Sequence, residues 1–216
     1  PAARIMSISQ NDNGNYCRSP EELAVINAEG SPAGPLLRAI NAIADAIADE
    51  FPAVAISTLA YDYSSPAPLL SKVRSNVIIQ LCVGDKSAPA DFMRPLSAAV
   101  NEPFRAQLQE WRSRANASRL FVWNYVCDFG NYLQAFPNYN VLGHDVRYLA
   151  QNTSVRGVFA ESCGTGYWQH NPWRFRPTGP GSGTDMDELK SYVLSSMLWD
   201  PLQDPDAVIS EFLDGY

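Results

Sequence analysis

Short apolar runs alternate along the chain with amphipathic stretches, and five of the runs have the length of β-strands. Each run is followed by polar or aromatic residues, and segments with helical spacing of apolar residues lie between most of them. Strands that alternate with helices in this way are typical of a parallel α/β sheet. The predicted strands are residues 4–9, 54–59, 77–83, 120–126 and 155–160.

The predicted helices each present one apolar stripe at spacings of three or four residues. A serine followed by proline and glutamate, Ser19-Pro20-Glu21-Glu22, predicts a short helix to about Asn27. Another short helix is expected near residues 145–151, and a final one after 204–206. The stripes of the three longer helices are Leu37, Ile40, Ile43, Ile47 and Phe51, then Phe104, Leu108 and Trp111, then Leu189, Tyr192, Val193 and Met197.

Repeated β/α units with polar residues after each strand predict a (β/α)8 TIM-type barrel whose active face lies at the C-terminal strand ends. Such a barrel needs eight strands, and the pattern supplies five. We therefore expect residues 1–216 to form the C-terminal part of one barrel domain, strands four to eight, with the N-terminal part of that domain outside this chain. The remainder of the barrel would then be a partner of this chain.

Composition and charge disfavour nucleic acids and membranes as partners of this chain. The chain is 46% hydrophobic and 18% charged, which is typical of a globular domain, and its net charge is -7. An acidic chain without a basic patch lacks the electrostatic footprint of a nucleic-acid-binding protein. Because no apolar run reaches about 18 residues, membrane insertion is not expected either.

The four cysteines, Cys17, Cys82, Cys127 and Cys163, have neither the C-x-x-C spacing nor the histidine neighbours of a zinc site. Cys82 and Cys127 end adjacent predicted strands, so a disulfide between them is one interpretation and buried thiols are the other. A metal or organic cofactor is not indicated.

Two sequons, Asn116-Ala117-Ser118 and Asn152-Thr153-Ser154, fall between predicted helices and strands. Loops at these positions would accommodate glycans on Asn116 and Asn152. Together with the acidic composition and the cysteines, the sequons favour a protein of the secretory pathway or the extracellular space.

The polar residues after the strands are the candidate site, since the C-terminal ends of parallel strands share one edge. Carboxylates, amides and aromatic rings dominate among them, which is typical of carbohydrate sites. A further tryptophan, in a long Gly- and Pro-rich segment, is free to stack on a ligand, and the alternative is that it anchors that loop. The candidate substrate-binding residues are Asn11, Tyr61, Trp123, Asn124, Tyr125 and Trp168.

Asp12 and Glu161 are the candidate acid/base pair because each directly follows an apolar strand, and Asp62 is the third candidate. The structural alternatives are that Asp12-Asn13-Gly14 is only a turn and that Glu161 pairs with an arginine such as Arg174. A G-x-S-x-G elbow is missing from the sequence, which disfavours acyl-transfer hydrolysis.

Several segments of the chain resemble one known family. They include Ser7-Ile8-Ser9-Gln10-Asn11-Asp12 followed by Cys17, Thr58-Leu59-Ala60-Tyr61, and Leu198-Trp199-Asp200-Pro201. The chain is similar over nearly its whole length to domain-of-unknown-function family 4838. The resemblance implies a glycoside-hydrolase-like barrel, related to those of alpha-glucuronidases and beta-hexosaminidases, with a carbohydrate substrate. It does not imply an established reaction.

The chain departs from the family pattern at two places. Relatives commonly have several cysteines where this chain has Cys17, and often an aspartate where Asn124 stands. These departures support an alternative function, in which a non-catalytic extracellular protein binds carbohydrate or has a structural role in an extracellular assembly.

Overall fold

The computed structural model of the protein describes residues 4–115, 119–128, 134–161 and 185–215. In these ranges the strands are β1 (Ile5–Ser7), β2 (Ala55–Ala60), β3 (Val77–Cys82), β4 (Leu120–Tyr125) and β5 (Gly157–Glu161). The α-helices are α1 (Pro20–Glu29), α2 (Ala33–Ile47), α3 (Glu102–Arg114), α4 (Tyr139–Asn152), α5 (Asp187–Trp199) and α6 (Pro205–Asp214). Single 3-10 turns occupy Asp62–Ser64 and Ala99–Asn101. All five predicted strands are therefore confirmed.

The strands form one sheet in the order β1-β2-β3-β4-β5. The pairs β1–β2, β2–β3 and β3–β4 are parallel, and in their register Ile56 lies beside Met6 and Val77. Beside β4, the Arg156 amide donates to the Leu120 carbonyl at 3.0 Å and the Val126 amide donates to the Glu161 carbonyl at 2.9 Å. Because the strands run in one direction, their C-terminal ends lie along one edge.

The predicted (β/α)8 barrel is wrong. The described residues contain a single sheet of five strands and no closed eight-stranded barrel. Polar residues after buried strands are common to parallel α/β sheets, whether or not they close into a barrel. Closure of the sheet depends on the number and stagger of its strands, which a local sequence pattern does not encode. The first strand also differs from a barrel strand, because Ile5 and Met6 are each about half exposed.

The chain divides into two compact units, and the first contains the described residues of 1–90, 102–123 and 154–157. Its core forms where α2 packs on β2 and β3. The predicted stripe of α2 is buried at Leu37 and Ile40, but Ile43 is partly exposed and Phe51 lies beyond the end of the helix. In α3 the predicted stripe is confirmed: Trp111 is buried, and its indole Nε1 donates to the Ser65 carbonyl at 2.7 Å.

The second unit contains the described residues of 91–101, 124–153 and 158–216. Its α4 is longer than the helix predicted near residues 145–151, and it packs against α5 and α6. A Cβ atom added to Gly143 would lie only 2.9 Å from Cβ of Pro205, so glycine permits the close approach of these helices. One buried cluster of this unit consists of Val146, Leu189, Val193, Met197 and Val208.

Candidate functional site

A cluster of polar side chains lies where β1 and β2 end, within the first unit. It consists of Gln10, Asp12, Tyr61, Asp62 and Ser64, and we call it the strand-end cluster. Parallel pairing places β1 beside β2, with Ser7 opposite Ser57. The Tyr61 hydroxyl donates to Asp12 Oδ1 at 3.0 Å. Two candidates that are 49 residues apart in the sequence are therefore in direct contact.

The base of the strand-end cluster is a ring of hydrogen bonds. Gln10 Nε2 donates to the Tyr61 carbonyl at 2.9 Å, and the Ser64 hydroxyl donates to Gln10 Oε1. The Tyr61 amide in turn donates to Ser64 Oγ at 3.2 Å. Ser64 is buried, so these bonds lie in a partly water-excluded environment where they fix backbone geometry more strongly than at an open surface. The ring therefore fixes the backbone of Tyr61, from which the side chain reaches Asp12.

Asp62 occupies an unusual backbone conformation directly after β2. Its φ is 46°, in the left-handed region that residues other than glycine seldom adopt. The loop after β1 passes close by, since a Cβ atom on Gly14 would lie 3.3 Å from Asp62 Oδ2. Backbone conformations of this kind cost about 1 to 3 kcal/mol and concentrate at functional sites. The charge of the Asp62 carboxylate acts on the neighbouring Tyr61 hydroxyl.

Burial, together with acidic groups near the Tyr61 hydroxyl, raises the pKa of this side chain. Burial raises the pKa of Tyr61, and the hydrogen bond and charge of Asp12 add to this effect. Cys82, at the end of β3, and Asp62 contribute further, so the pKa reaches about 12. Tyr61 is therefore protonated at every physiological pH and remains a hydrogen-bond donor to Asp12.

Two tyrosines extend the strand-end cluster with aromatic surface. The rings of Tyr16 and Tyr63 have centroids 5.2 Å apart, and the Arg18 guanidinium lies 4.8 Å from the Tyr16 centroid. Burial, together with the charge of Asp62, raises the pKa of Tyr63. Half-buried rings beside carboxylates provide both the apolar and the polar surfaces that a sugar ring requires.

The residues of β4 alternate between the two faces of the sheet. Asn124 is buried on the same face as Val122, and its Oδ1 accepts a hydrogen bond from the Tyr125 amide at 2.9 Å. Trp123 and Tyr125 are half buried on the other face. Trp123 is opposite Cys82 of β3 in the register of the sheet. Tyr125 makes an edge-on contact with Phe92, with ring centroids 5.8 Å apart. Asn124 thus contributes to backbone structure rather than to an open surface.

The remaining sequence candidates have mixed outcomes. Asn11 and Asn152 are exposed, while Trp168 and Asn116 lie outside the described residues. Glu161 ends β5 and belongs to the second unit, so its pairing with Asp12 stays a prediction. The predicted disulfide between Cys82 and Cys127 is wrong, because Cys82 is a buried thiol. The buried interior at the end of β3 accommodates that thiol without a cross-link.

Sequence reasoning missed four residues of this region: Gln10, Ser64, Tyr16 and Tyr63. Gln10 and Ser64 each lie two residues from a candidate carboxylate, but a single polar residue in a loop gives no signal of its partner. The tyrosines were detectable only as aromatic residues close to Asp12 and Asp62 in the sequence.

All of residues 1–216 match the family model described as Domain of unknown function (DUF4838). The chain belongs to this family. No curated protein and no solved structure matches the chain.

The family description specifies no reaction, so the chemistry of the DUF4838 chain depends on the side chains of its strand-end cluster. Among the described residues, no group of three His, Cys, Asp or Glu side chains is arranged to hold a metal ion. Helices long and apolar enough to cross a membrane are likewise not found in the described ranges. The strand-end cluster of the DUF4838 chain combines two carboxylates, a fixed hydroxyl donor and neighbouring aromatic rings, which suits hydroxyl-bearing ligands.

Proposed function

We propose that this chain is a glycoside-hydrolase-like protein that acts on a glycan at the strand-end cluster. The observation that carries the proposal is the contact between the Tyr61 hydroxyl and Asp12 Oδ1 at 3.0 Å. A neutral donor holds the carboxylate in one orientation without cancelling its charge. Asp12 itself is exposed, so a ligand can reach it.

Glycosidic bonds are hydrolysed by pairs of carboxyl groups roughly 5 to 10 Å apart, one as the acid and the other as nucleophile or base. In the proposal Asp12 is one reacting group, Glu161 is its sequence-predicted partner, and Asp62 assists beside Tyr61. The charge of Asp62 acts on both Tyr61 and Tyr63, which supports a place for it near the same ligand. The rings of Tyr16 and Tyr63 would contact the apolar face of a sugar.

A second candidate function is carbohydrate binding without hydrolysis. Asp12 Oδ1 is already engaged by Tyr61, and a carboxylate that only accepts hydrogen bonds from sugar hydroxyls needs no second carboxyl group. In that case a glycan would bind at the same residues and be released unchanged.

A panel of aryl glycosides separates the two functions. We expect the full chain to release the aryl group from at least one sugar, and the Asp12→Asn and Glu161→Gln variants to be slowed about 10² to 10⁴-fold. Binding of a matching free sugar without any hydrolysis would favour the non-catalytic function. Equal hydrolysis by all three proteins would remove both residues from the mechanism.

We also propose that the protein enters the secretory pathway. Asn152 of the sequon Asn152-Thr153-Ser154 is exposed at the end of α4, where a glycan has room. The expected result is a loss of apparent mass when protein from a eukaryotic secretory host is treated with an N-glycosidase, with Asn152→Gln reducing that loss. Unchanged mobility of both proteins would contradict the proposal.

A further inference from the structure

The second unit contains an open cavity of about 450 Å³ beside α4. Its walls come from residues 93–97 and from one face of α4. Polar and cationic side chains line it, including Arg94, Ser97, Asn140, His144, Arg147 and Tyr148. A volume of this size is within the range of small-molecule sites.

The charge of this cavity differs from that of the chain as a whole. Two guanidinium groups, Arg94 and Arg147, are among the lining residues, and no aspartate or glutamate is. The chain carries a net charge of -7, yet within the described ranges neither arginine forms an ion pair or a side-chain hydrogen bond. Arg147 is also half buried. Positive charge is therefore concentrated here without a counter-ion from the described residues.

A cavity in the first unit provides a comparison. It has a similar volume, about 470 Å³, and it also contains two arginines, Arg38 and Arg74. There, Arg74 Nε lies 2.9 Å from Asp45 Oδ1 and Arg38 Nη2 lies 2.7 Å from Glu29 Oε1. The arginines of that cavity are neutralised by the protein itself, whereas those beside α4 are not.

The walls of the α4 cavity are fixed by a buried contact. The Leu96 amide donates to Asp145 Oδ1 at 2.7 Å, which ties the segment containing Arg94 to the helix that carries Arg147. Asp145 is not a lining residue, and burial raises its pKa to about 7, which reduces its negative charge at neutral pH. Two other carboxylates contact lining residues: Asp206 Oδ1 lies 3.3 Å from His144 Nε2, and Asp91 Oδ1 accepts a hydrogen bond from the Met93 amide at 2.9 Å.

The cavity extends along the whole of α4. Asn140 and Val141 in the first turn line it, and so do Gln151 and Asn152 in the last. The two ends of a helix carry partial charges of opposite sign. The positive potential of the cavity therefore comes from its arginines rather than from the helix.

We infer that this cavity binds an oxyanion group, a carboxylate, phosphate or sulfate, of a small ligand through Arg94 and Arg147. Guanidinium groups bind such oxygens with two parallel hydrogen bonds, which gives both orientation and affinity. This inference does not depend on a glycan as the substrate of the strand-end cluster. The α4 cavity would be a second binding site, lined by arginines, whereas the strand-end cluster contains the carboxylates of Asp12 and Asp62.

Calorimetric titration of the full chain tests the inference, with sodium phosphate, sulfate and acetate as probes and chloride at equal ionic strength as the reference. We expect saturable binding of at least one oxyanion. The Arg94→Gln/Arg147→Gln double variant should weaken it about tenfold or more, since it removes both charged groups that would bind the oxyanion. Arg112→Gln, which removes an exposed arginine of α3, is the matched control and should bind as the unaltered chain does.

The relative affinities of acetate and of phosphate or sulfate identify the source of the oxyanion. Binding no stronger than that of chloride would overturn the inference, and so would equal affinity of the double variant and the Arg112→Gln control. Thermal unfolding verifies that the variants are folded. If the double variant unfolds, the single variants Arg94→Gln and Arg147→Gln replace it, and each should weaken binding several-fold.

Discussion

Among the described residues, each of the two units encloses one buried carboxylate, and the two have different numbers of hydrogen-bond donors. In the first unit, Glu29 is fully buried and its side chain accepts hydrogen bonds from the Leu70 amide at 2.8 Å, the Ser71 amide at 2.9 Å, the Ser71 hydroxyl and Arg38. In the second unit, Asp145 is 5% exposed and accepts one hydrogen bond from the Leu96 amide at 2.7 Å.

The difference appears in the titration of the two groups. Burial acts to raise the pKa of Glu29, but the hydrogen bonds from Ser71, Leu70 and Arg38 together outweigh it and lower that pKa to about 2. At Asp145, in contrast, burial dominates because the single amide donor opposes it too weakly. The pKa of Asp145 therefore rises to about 7. Donor number, rather than burial, decides whether a carboxylate stays charged inside this protein.

The buried carboxylates Glu29 and Asp145 differ from the exposed carboxylate of Asp12. Glu29 and Asp145 are buried and neither follows a strand, so their role is to hold loops against helices. Asp12 follows β1, is exposed and is oriented by the neutral donor Tyr61. The central claim of the proposed function is that Asp12 is the carboxylate available to a ligand.

The largest expected effect is that of Glu29→Gln on stability. The change keeps the shape of the side chain but places an amide N–H₂ among backbone and hydroxyl donors, and it leaves Arg38 without its partner. We expect the free energy of unfolding to fall by about 3 to 5 kcal/mol, measured by urea denaturation. Glu50→Gln, at an exposed turn after α2, is the control and should change it by less than about 0.5 kcal/mol.

An Asp145→Asn variant should be next in size, and its effect depends on pH. The folded-state pKa of about 7 lies above the ordinary value of 3.8, so the contribution of Asp145 to stability is fully present below pH 3.8 and is lost as the pH rises through 7. The pKa difference corresponds to up to about 4 kcal/mol. Asparagine keeps an acceptor for the Leu96 amide and does not ionise, so the variant should lack this decline.

The free energy of unfolding, measured from below pH 3.8 to above pH 7, tests the contrast between Asp145 and Glu29. Glu29 acts in the opposite direction, because its lowered pKa contributes stability above pH 4.5 that is lost as the pH falls through 2. A decline in stability toward neutral pH that is equally steep in the unaltered chain and in Asp145→Asn would show that Asp145 is not its cause.

The smallest effect on stability is expected for Tyr61→Phe. This change removes the hydroxyl that donates to Asp12, and a hydrogen bond of this kind contributes about 0.5 to 1.5 kcal/mol. In the proposed function Tyr61 positions Asp12, so the same variant should lower kcat on a hydrolysed glycoside with little change in KM. A variant whose KM rises while its kcat stays constant would place Tyr61 in ligand binding instead.

The sequence predicted the strands well and their arrangement poorly. Apolar runs locate all five strands, and β2 is buried on both faces as the run around Ile56 indicates. Closure into a barrel could not be predicted, because β1 has the local pattern of a buried strand although Ile5 and Met6 are about half exposed.

The candidate site was predictable in part for a similar reason. Polar residues after parallel strands must share an edge, which is why the proximity of Asp12, Tyr61 and Asp62 could be expected. The hydrogen-bonded ring of Gln10 and Ser64 could not, since it depends on loop conformation. The two arginines of the α4 cavity, Arg94 and Arg147, are far apart in the sequence. Only the fold brings them to the same cavity.

The rate of hydrolysis by Asp12→Asn, compared with that by Asp49→Asn, tests the central claim most directly. Both variants exchange an exposed aspartate for asparagine, but Asp49 lies in the turn that precedes β2 rather than at the strand ends. On a glycoside that the unaltered chain hydrolyses, Asp12→Asn should lower kcat/KM about 10² to 10⁴-fold and Asp49→Asn should leave it unchanged. Equal kcat/KM values for the two variants would contradict the assignment of Asp12.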